Sequence, residues 1–254
     1  MKARRNIWIL ISLIGMLALT ACTGNKTMIV GVESNFKPFT YVEEGSYKGF
    51  EIDLWNAIAR EAGFKKYKFE AMDFGELIEA VKTGKADVGL AGMTINQARK
   101  NELEFSMPYY DTGLVLLTSA SNKQIHSTHD LKDKTVGTKL ATTGYQFSSE
   151  LQGLKSVKGY PEISQAFEDL MNNKVDAVIF DEQPSRNFVR TAGKGKVKIL
   201  GGTLTKENYG MFTKKRGKNI GRIDQAIEAV SQNGTYEKIY RKWFGKKPDK
   251  LPGS

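Results

Sequence analysis

Apolar and polar positions follow two rhythms along this chain, and one combined pattern occurs twice. Residues 72–94 read MDFGELIEAVKTGKADVGLAGMT and residues 160–183 read YPEISQAFEDLMNNKVDAVIFDEQ. The two superpose at an offset of 89, with Asp87 on Asp176 and Gly92 on Asp181. Each predicts an amphipathic helix, a polar turn (TGK or NNK) and a short apolar strand that starts just after the aspartate. Two copies of helix–turn–strand imply two similar α/β lobes. Ligands of open α/β sheets collect at the carboxyl ends of strands, so Gly92-Met93-Thr94 and Phe180-Asp181 are expected to form facing walls of one cleft.

The remaining pattern fills in around these units. Thr27 to Val32 predicts a strand, followed by a loop from Glu33 to Phe39. Ile52, Trp55, Ile58, Ala59 and Ala62 have helical spacing, and Gly63 supplies a stop. Strands are expected at Lys66 to Glu70, Leu114 to Thr118, Val136 to Lys139, Lys196 to Leu200 and Tyr209 to Thr213. Helices are expected at Tyr145 to Leu151, Ser185 to Ala192, Ile220 to Gln232 and Thr235 to Trp243, with a turn or short helix at Asn96 to Asn101. The strands at Leu114 and Tyr209 bracket the second unit and are read as hinge crossings. Residues 28–112 with 209–245 then make a discontinuous first lobe, 113–208 a second lobe, and 246–254 a frayed tail.

Lys2, Arg4 and Arg5 precede an apolar run from Ile7 to Leu19, and Leu19-Thr20-Ala21-Cys22 follows. A basic start, a short apolar core and small residues make a secretory signal over 1–21, too short for a comfortable membrane span. LTAC resembles a bacterial lipobox, which implies a lipid on Cys22, a tether over 22–27 and an extracytoplasmic place at the membrane. Cys22 is the one cysteine of the chain, so an exported domain has no internal disulfide and is held by its core. The net charge of +10 falls to +7 once the signal is removed. Lysines are interspersed with acidic residues, and the densest cluster, Lys238 to Lys250, reads as a solvated helix face and tail. No nucleic-acid partner is expected.

GFEIDLWNAIARE, DFGELIEAVKTGKADVGLAGMTI, FSMPYYDTGLVLL, LKDKTVGTKLATTG, VDAVIFDEQP and NGTYEKIYRKWFG stand in this order along the chain. Together they resemble the polar amino-acid-binding proteins of ABC importers, solute-binding family 3, and look nearest to the glutamine binders. The resemblance implies a two-lobed type II periplasmic-binding fold with a two-stranded hinge and a cleft between lobes. It implies a monomeric receptor for a free L-amino acid, without a cofactor, that docks on an ABC permease.

An amino acid presents a carboxylate, an ammonium and a side chain, each needing a partner once desolvated. Arg99, five residues after Thr94, matches the family's arginine, and its fork suits a carboxylate. Thr142 and Thr143 offer backbone N–H groups to the same carboxylate at a helix start, or serve only as caps. Asp181 is assigned to the ammonium, with a helix cap as its alternative role. The Gly92 carbonyl and Thr94 hydroxyl serve the same head group. The resemblance makes Phe36 and Phe74 a sandwich around the ligand stem and makes Glu33 and Lys139 the specificity pair. A carboxylate with an ammonium satisfies a side-chain amide, which offers both acceptor and donor, and glutamine is therefore the expected ligand. Arginine, histidine and glutamate are the alternatives within the fold.

The chain departs from its relatives at Glu33, Ala98, Met107, Ala141 and Phe180, where Asp, Glu, Asp, Gly and His are usual. A rival of another class is a cyclohexadienyl dehydratase-like enzyme. Against it stand two histidines in a polar loop, His126 and His129, no His/Cys metal cluster and no GxxxxGK loop. No enzyme activity is expected.

Overall fold

The computed structural model describes residues 27–253; the expected signal segment and the expected lipid site, Cys22, lie outside the described residues. The first lobe opens with β1 (Met28–Glu33), a small antiparallel sheet of β2 (Asn35–Phe36), β3 (Thr40–Glu43) and β4 (Ser46–Lys48), and helix α1 (Phe50–Glu61). It continues through β5 (Tyr67–Met72), α2 (Phe74–Thr83), β6 (Val88–Leu90), α3 (Gln97–Glu102) and β7 (Leu103–Phe105). β8 (Tyr110–Thr112) leads to the second lobe, which holds β9 (Leu114–Ser119), β10 (Thr135–Lys139), α4 (Thr143–Glu150) and β11 (Ser156–Tyr160). That lobe is completed by α5 (Ile163–Met171), β12 (Ala177–Asp181), α6 (Glu182–Arg190) and β13 (Val197–Leu200). β14 (Glu207–Tyr209) returns to the first lobe, where β15 (Phe212–Lys214), α7 (Ile220–Gln232) and α8 (Thr235–Phe244) finish the chain's regular structure.

The two large sheets share one plan. In the first, the order is β5-β1-β6-β15-β7, parallel across β5, β1 and β6 and antiparallel beyond. In the second, the order is β11-β10-β12-β9-β13, with the same switch after the third strand. β6 and β12, the strands of the repeated unit, therefore hold equivalent places. Asp87 Oδ2 accepts from the Ile29 amide at 2.8 Å, and Asp176 Oδ2 accepts from the Thr135 amide at 2.8 Å. The return bonds, Asp87 amide to Ile29 carbonyl and Asp176 amide to Thr135 carbonyl, are 2.8 and 2.9 Å. Each aspartate thus clasps the start of the second strand in the order of its own sheet.

The helices of the unit match as well. α2 buries Phe74, Leu77, Ala80 and Val81; α5 buries Ile163, Ala166, Phe167 and Leu170. This spacing of three and four residues makes one apolar stripe, and fully burying each large side chain of it contributes roughly 1.5–3 kcal/mol. Gly84 and Asn173, equivalent at the same offset, turn the chain out of these helices at φ 77° and 56°. Glycine takes that left-handed conformation freely, and asparagine tolerates it better than most residues.

Three expectations are corrected. The ribbon between lobes is β8 paired antiparallel with β14, Tyr110 opposite Tyr209 and Thr112 opposite Glu207. Leu114 to Thr118 belongs to the interior of the second sheet, and the expected strand from Tyr209 to Thr213 divides between hinge and first lobe. α6 begins at Glu182, not Ser185, because β12 passes into it with no intervening turn. The segment after Gly245, expected to fray, runs back along the hinge. Leu251 packs on the core, and Pro248 to Gly253 flank a groove with Tyr109, Tyr110, Tyr236 and Tyr240.

Candidate functional site

Four strand ends meet between the lobes. Glu33 ends β1, Lys139 ends β10, Asp181 ends β12, and Gly92 lies just past β6. All ten residues singled out in the sequence, Glu33, Phe36, Phe74, Gly92, Thr94, Arg99, Lys139, Thr142, Thr143 and Asp181, line a single cavity together with Ala91 and Phe180. The lobes enclose about 20 Å³ there, room for about one water molecule. A solute the size of an amino acid therefore enters only as the lobes part.

Arg99 lies in the first turn of α3, whose cap Asn96 accepts from the Arg99 amide at 2.8 Å. Its guanidinium donates to the Thr94 carbonyl at 2.8 Å within lobe one and to the Ala141 carbonyl at 3.1 Å across the cleft. Burial lowers its pKa, opposed by the nearby Asp181 and Glu207 carboxylates. Asp181 accepts from the Tyr209 hydroxyl at 2.7 Å, and its side chain makes no capping bond to α6. Burial, with Glu207 adding, outweighs Tyr209 and Arg99 and pushes Asp181 up to about 7.

Thr142 caps α4: its hydroxyl oxygen accepts from the Tyr145 amide at 3.2 Å, and its O–H donates to the Lys139 carbonyl at 2.7 Å. The Thr143 hydroxyl donates to Glu207 at 2.9 Å. Both hydroxyls are thus committed, and what these two residues present to an anion is the N–H-rich start of a helix.

At the other end, Lys139 Nζ is hydrogen-bonded to Glu33 Oε1, both side chains 3% exposed, and lies 3.6 Å from Glu162 Oε1. The expected pair is present, and its members engage each other across the lobes. Burial outweighs the attraction of Lys139 and pushes Glu33 up to about 7. The Phe74 ring has the Arg99 guanidinium 5.6 Å and the Lys139 ammonium 5.8 Å from its centroid, so one aromatic ring joins the two ends. Phe36 stacks on Phe39 and meets Phe180 edge to face at 6.2 Å. A Cβ on Gly92 would lie 2.2 Å from the Phe36 ring, and φ there is 52°; this position requires glycine.

Sequence reasoning missed Glu51, Glu207 and Tyr209. Glu51 is fully buried on α1, accepting from the Gly92 amide at 3.0 Å and the Tyr109 hydroxyl at 2.5 Å, and burial pushes it up to about 7. It anchors the backbone at the cleft floor. Its signal was present, because Glu51 falls in helical register with Trp55 and Ile58, an acid on an apolar face. Glu207 and Tyr209 gave no such signal, since their partners are 113, 64 and 28 residues away. His126 is bound to the Lys123 carbonyl within its loop, and neither histidine lines the cleft. Among the described residues, no cluster of His, Cys, Asp and Glu able to hold a metal occurs, and no helix is long and apolar enough to cross a membrane.

The profile of the bacterial extracellular solute-binding proteins, family 3, matches residues 28–246. The chain belongs to that family. Among its relatives, a probable histidine-binding protein of Neisseria gonorrhoeae is 32% identical, over 91% of this chain and 92% of the relative. The arginine-, lysine-, histidine-binding protein ArtJ of Geobacillus stearothermophilus superposes with a TM-score of 0.84 at 32% identity, covering 88% of this chain and 97% of that one. An ancestral arginine-binding protein bound to glutamine superposes with a TM-score of 0.81 at 39% identity, covering 87% and 98%. The two-lobed periplasmic-binding fold and the family expected from the six motifs are both borne out.

Proposed function

We propose that this chain captures a polar L-amino acid, glutamine foremost, in the cleft and delivers it to an ABC permease while tethered through a lipid on Cys22. Arg99 and the start of α4 take the carboxylate from opposite lobes, and Asp181 with the Gly92 carbonyl takes the ammonium. Closure completes both sets, so ligand binding favours the closed form. The observation that carries the choice of glutamine is the buried Lys139–Glu33 pair at the far end of the cavity. A side-chain amide inserted there donates to Glu33 and accepts from Lys139, replacing the bond each loses. Lys139 repels a cationic side chain. Glu162, a second carboxylate near Lys139, favours the alternative ligand, arginine, which the names of two of the compared proteins also suggest.

The test is calorimetry on residues 23–254, unfolded and refolded to strip ligand, against the twenty amino acids. Glutamine binding one to one, with arginine and glutamate at least tenfold weaker, is the expected result. In Lys139→Leu, glutamine weakens by tenfold or more and arginine gains. Arginine as the tighter ligand of the unmodified protein would discard the amide reading and keep the receptor.

A further inference from the structure

Glu207 is a charged group beside this site that the proposed function leaves without a role. It opens β14, one of the two strands joining the lobes. Oε2 accepts from the Thr94 hydroxyl of lobe one at 2.7 Å and from the Thr143 hydroxyl of lobe two at 2.9 Å, and Oε1 accepts from Thr205 at 2.9 Å. A carboxylate offers only acceptors, so all three hydroxyls spend their protons on it. The set spans both lobes and the hinge, and it is complete only when the lobes are together.

We propose that Glu207 is a positioning residue of the amino-acid site, which ties Thr94 to Thr143 in the closed form and turns the Thr94 oxygen into an acceptor for the ligand ammonium. The inference rests on the amino-acid reading above. It also changes the charge count at the head-group end. Two carboxylates, Asp181 and Glu207, stand near one guanidinium, Arg99. The surplus negative charge is matched by an ammonium, so a true amino acid is preferred over the same acid without its α-amino group. The groups facing Asp181 are Tyr209, Arg99 and Glu207, and of these Glu207 pushes its carboxyl in the same direction as burial does.

The experiment compares unmodified protein with Glu207→Gln and Glu207→Ala. Calorimetry uses L-glutamine and its deamino analogue, glutaramic acid, and carbon NMR follows the Asp181 carboxyl in ligand-free protein. Glu207→Ala weakens glutamine at least tenfold and narrows the gap between the two ligands. Glu207→Gln, which keeps an acceptor oxygen, loses less. In both, Asp181 titrates at lower pH. Thr143→Val, which leaves the hinge strand intact, repeats the affinity loss if Glu207→Ala destabilises the hinge. Glutamine affinity within twofold in these variants, or an unmoved Asp181 titration, overturns the inference. An unmodified protein silent to all twenty amino acids removes the proposed function, while the Asp181 titration judges the Glu207 placement separately.

Discussion

Ala141 occupies a left-handed backbone position, φ 62°, and its carbonyl is the second-lobe partner of Arg99. An L-residue pays roughly 1–2 kcal/mol for that conformation, whereas glycine adopts it without strain and loses about 0.5–1 kcal/mol in chain entropy. Ala141→Gly is therefore expected to stabilise the protein by about 0.5–1 kcal/mol, read as a raised denaturation midpoint. An unchanged or lowered midpoint would show that the loop relaxes around alanine. Gly92 is the reverse case, since positive φ and the Phe36 ring both exclude a side chain. Single residues also mark what the sequence conceals. Arg99 and Asp181 could be singled out, one because it matches the family's arginine five residues after Thr94 and the other because it ends the strand of the second unit. Glu207 was not, because nothing within its own neighbourhood distinguishes it from a solvated glutamate of a polar loop.

Helices and large strands were readable wherever burial imposes a period. The α2–β6 unit and its counterpart α5–β12 carry stripes, a left-handed turn and an aspartate, and these survive as pattern even where residues differ. The hinge was misplaced for the same reason. β8 and β14 are three residues each, too short to show a period, while the unbroken apolar run Leu114–Leu117 beside them reads as a strand and belongs to the second sheet. The equivalence of the two units makes a prediction at this scale. Asp87→Asn and Asp176→Asn each replace the carboxylate that clasps the start of β1 or β10. A hydrogen bond to a charged group contributes roughly 1.5–3 kcal/mol; asparagine keeps part of it, so each variant should lose about 1–2 kcal/mol in urea titration, and by similar amounts. A loss at one site alone would show that the two units match in shape but not in energetics.

Across the whole molecule, the buried carboxyls set the response to pH. Glu33, Glu51 and Asp181 all lie near 7 in the folded chain, raised first by burial, against about 4 when unfolded. Between those values the folded state binds more protons, so stability falls as pH rises from about 4 to about 7 and then levels. Asp169 behaves oppositely: bonds from Lys158 and Tyr160 lower it to about 2, and its contribution is lost as pH falls from about 4 to about 2. Ligand-free protein should have its highest thermal midpoint near pH 4–5 by scanning calorimetry. A midpoint that climbs steadily from pH 5 to pH 8 would contradict the buried-carboxyl account. The duplicated plan has one more consequence. The aspartate clasps grip β1 and β10 at Ile29 and Thr135, while Glu33 and Lys139 lie four residues on, roughly 13 Å away along an extended strand. Foundation and fingertips are thus separate parts of each strand. A lineage can rewrite what the fingertips grasp, one lobe at a time, and leave the footing that folds the protein as it was.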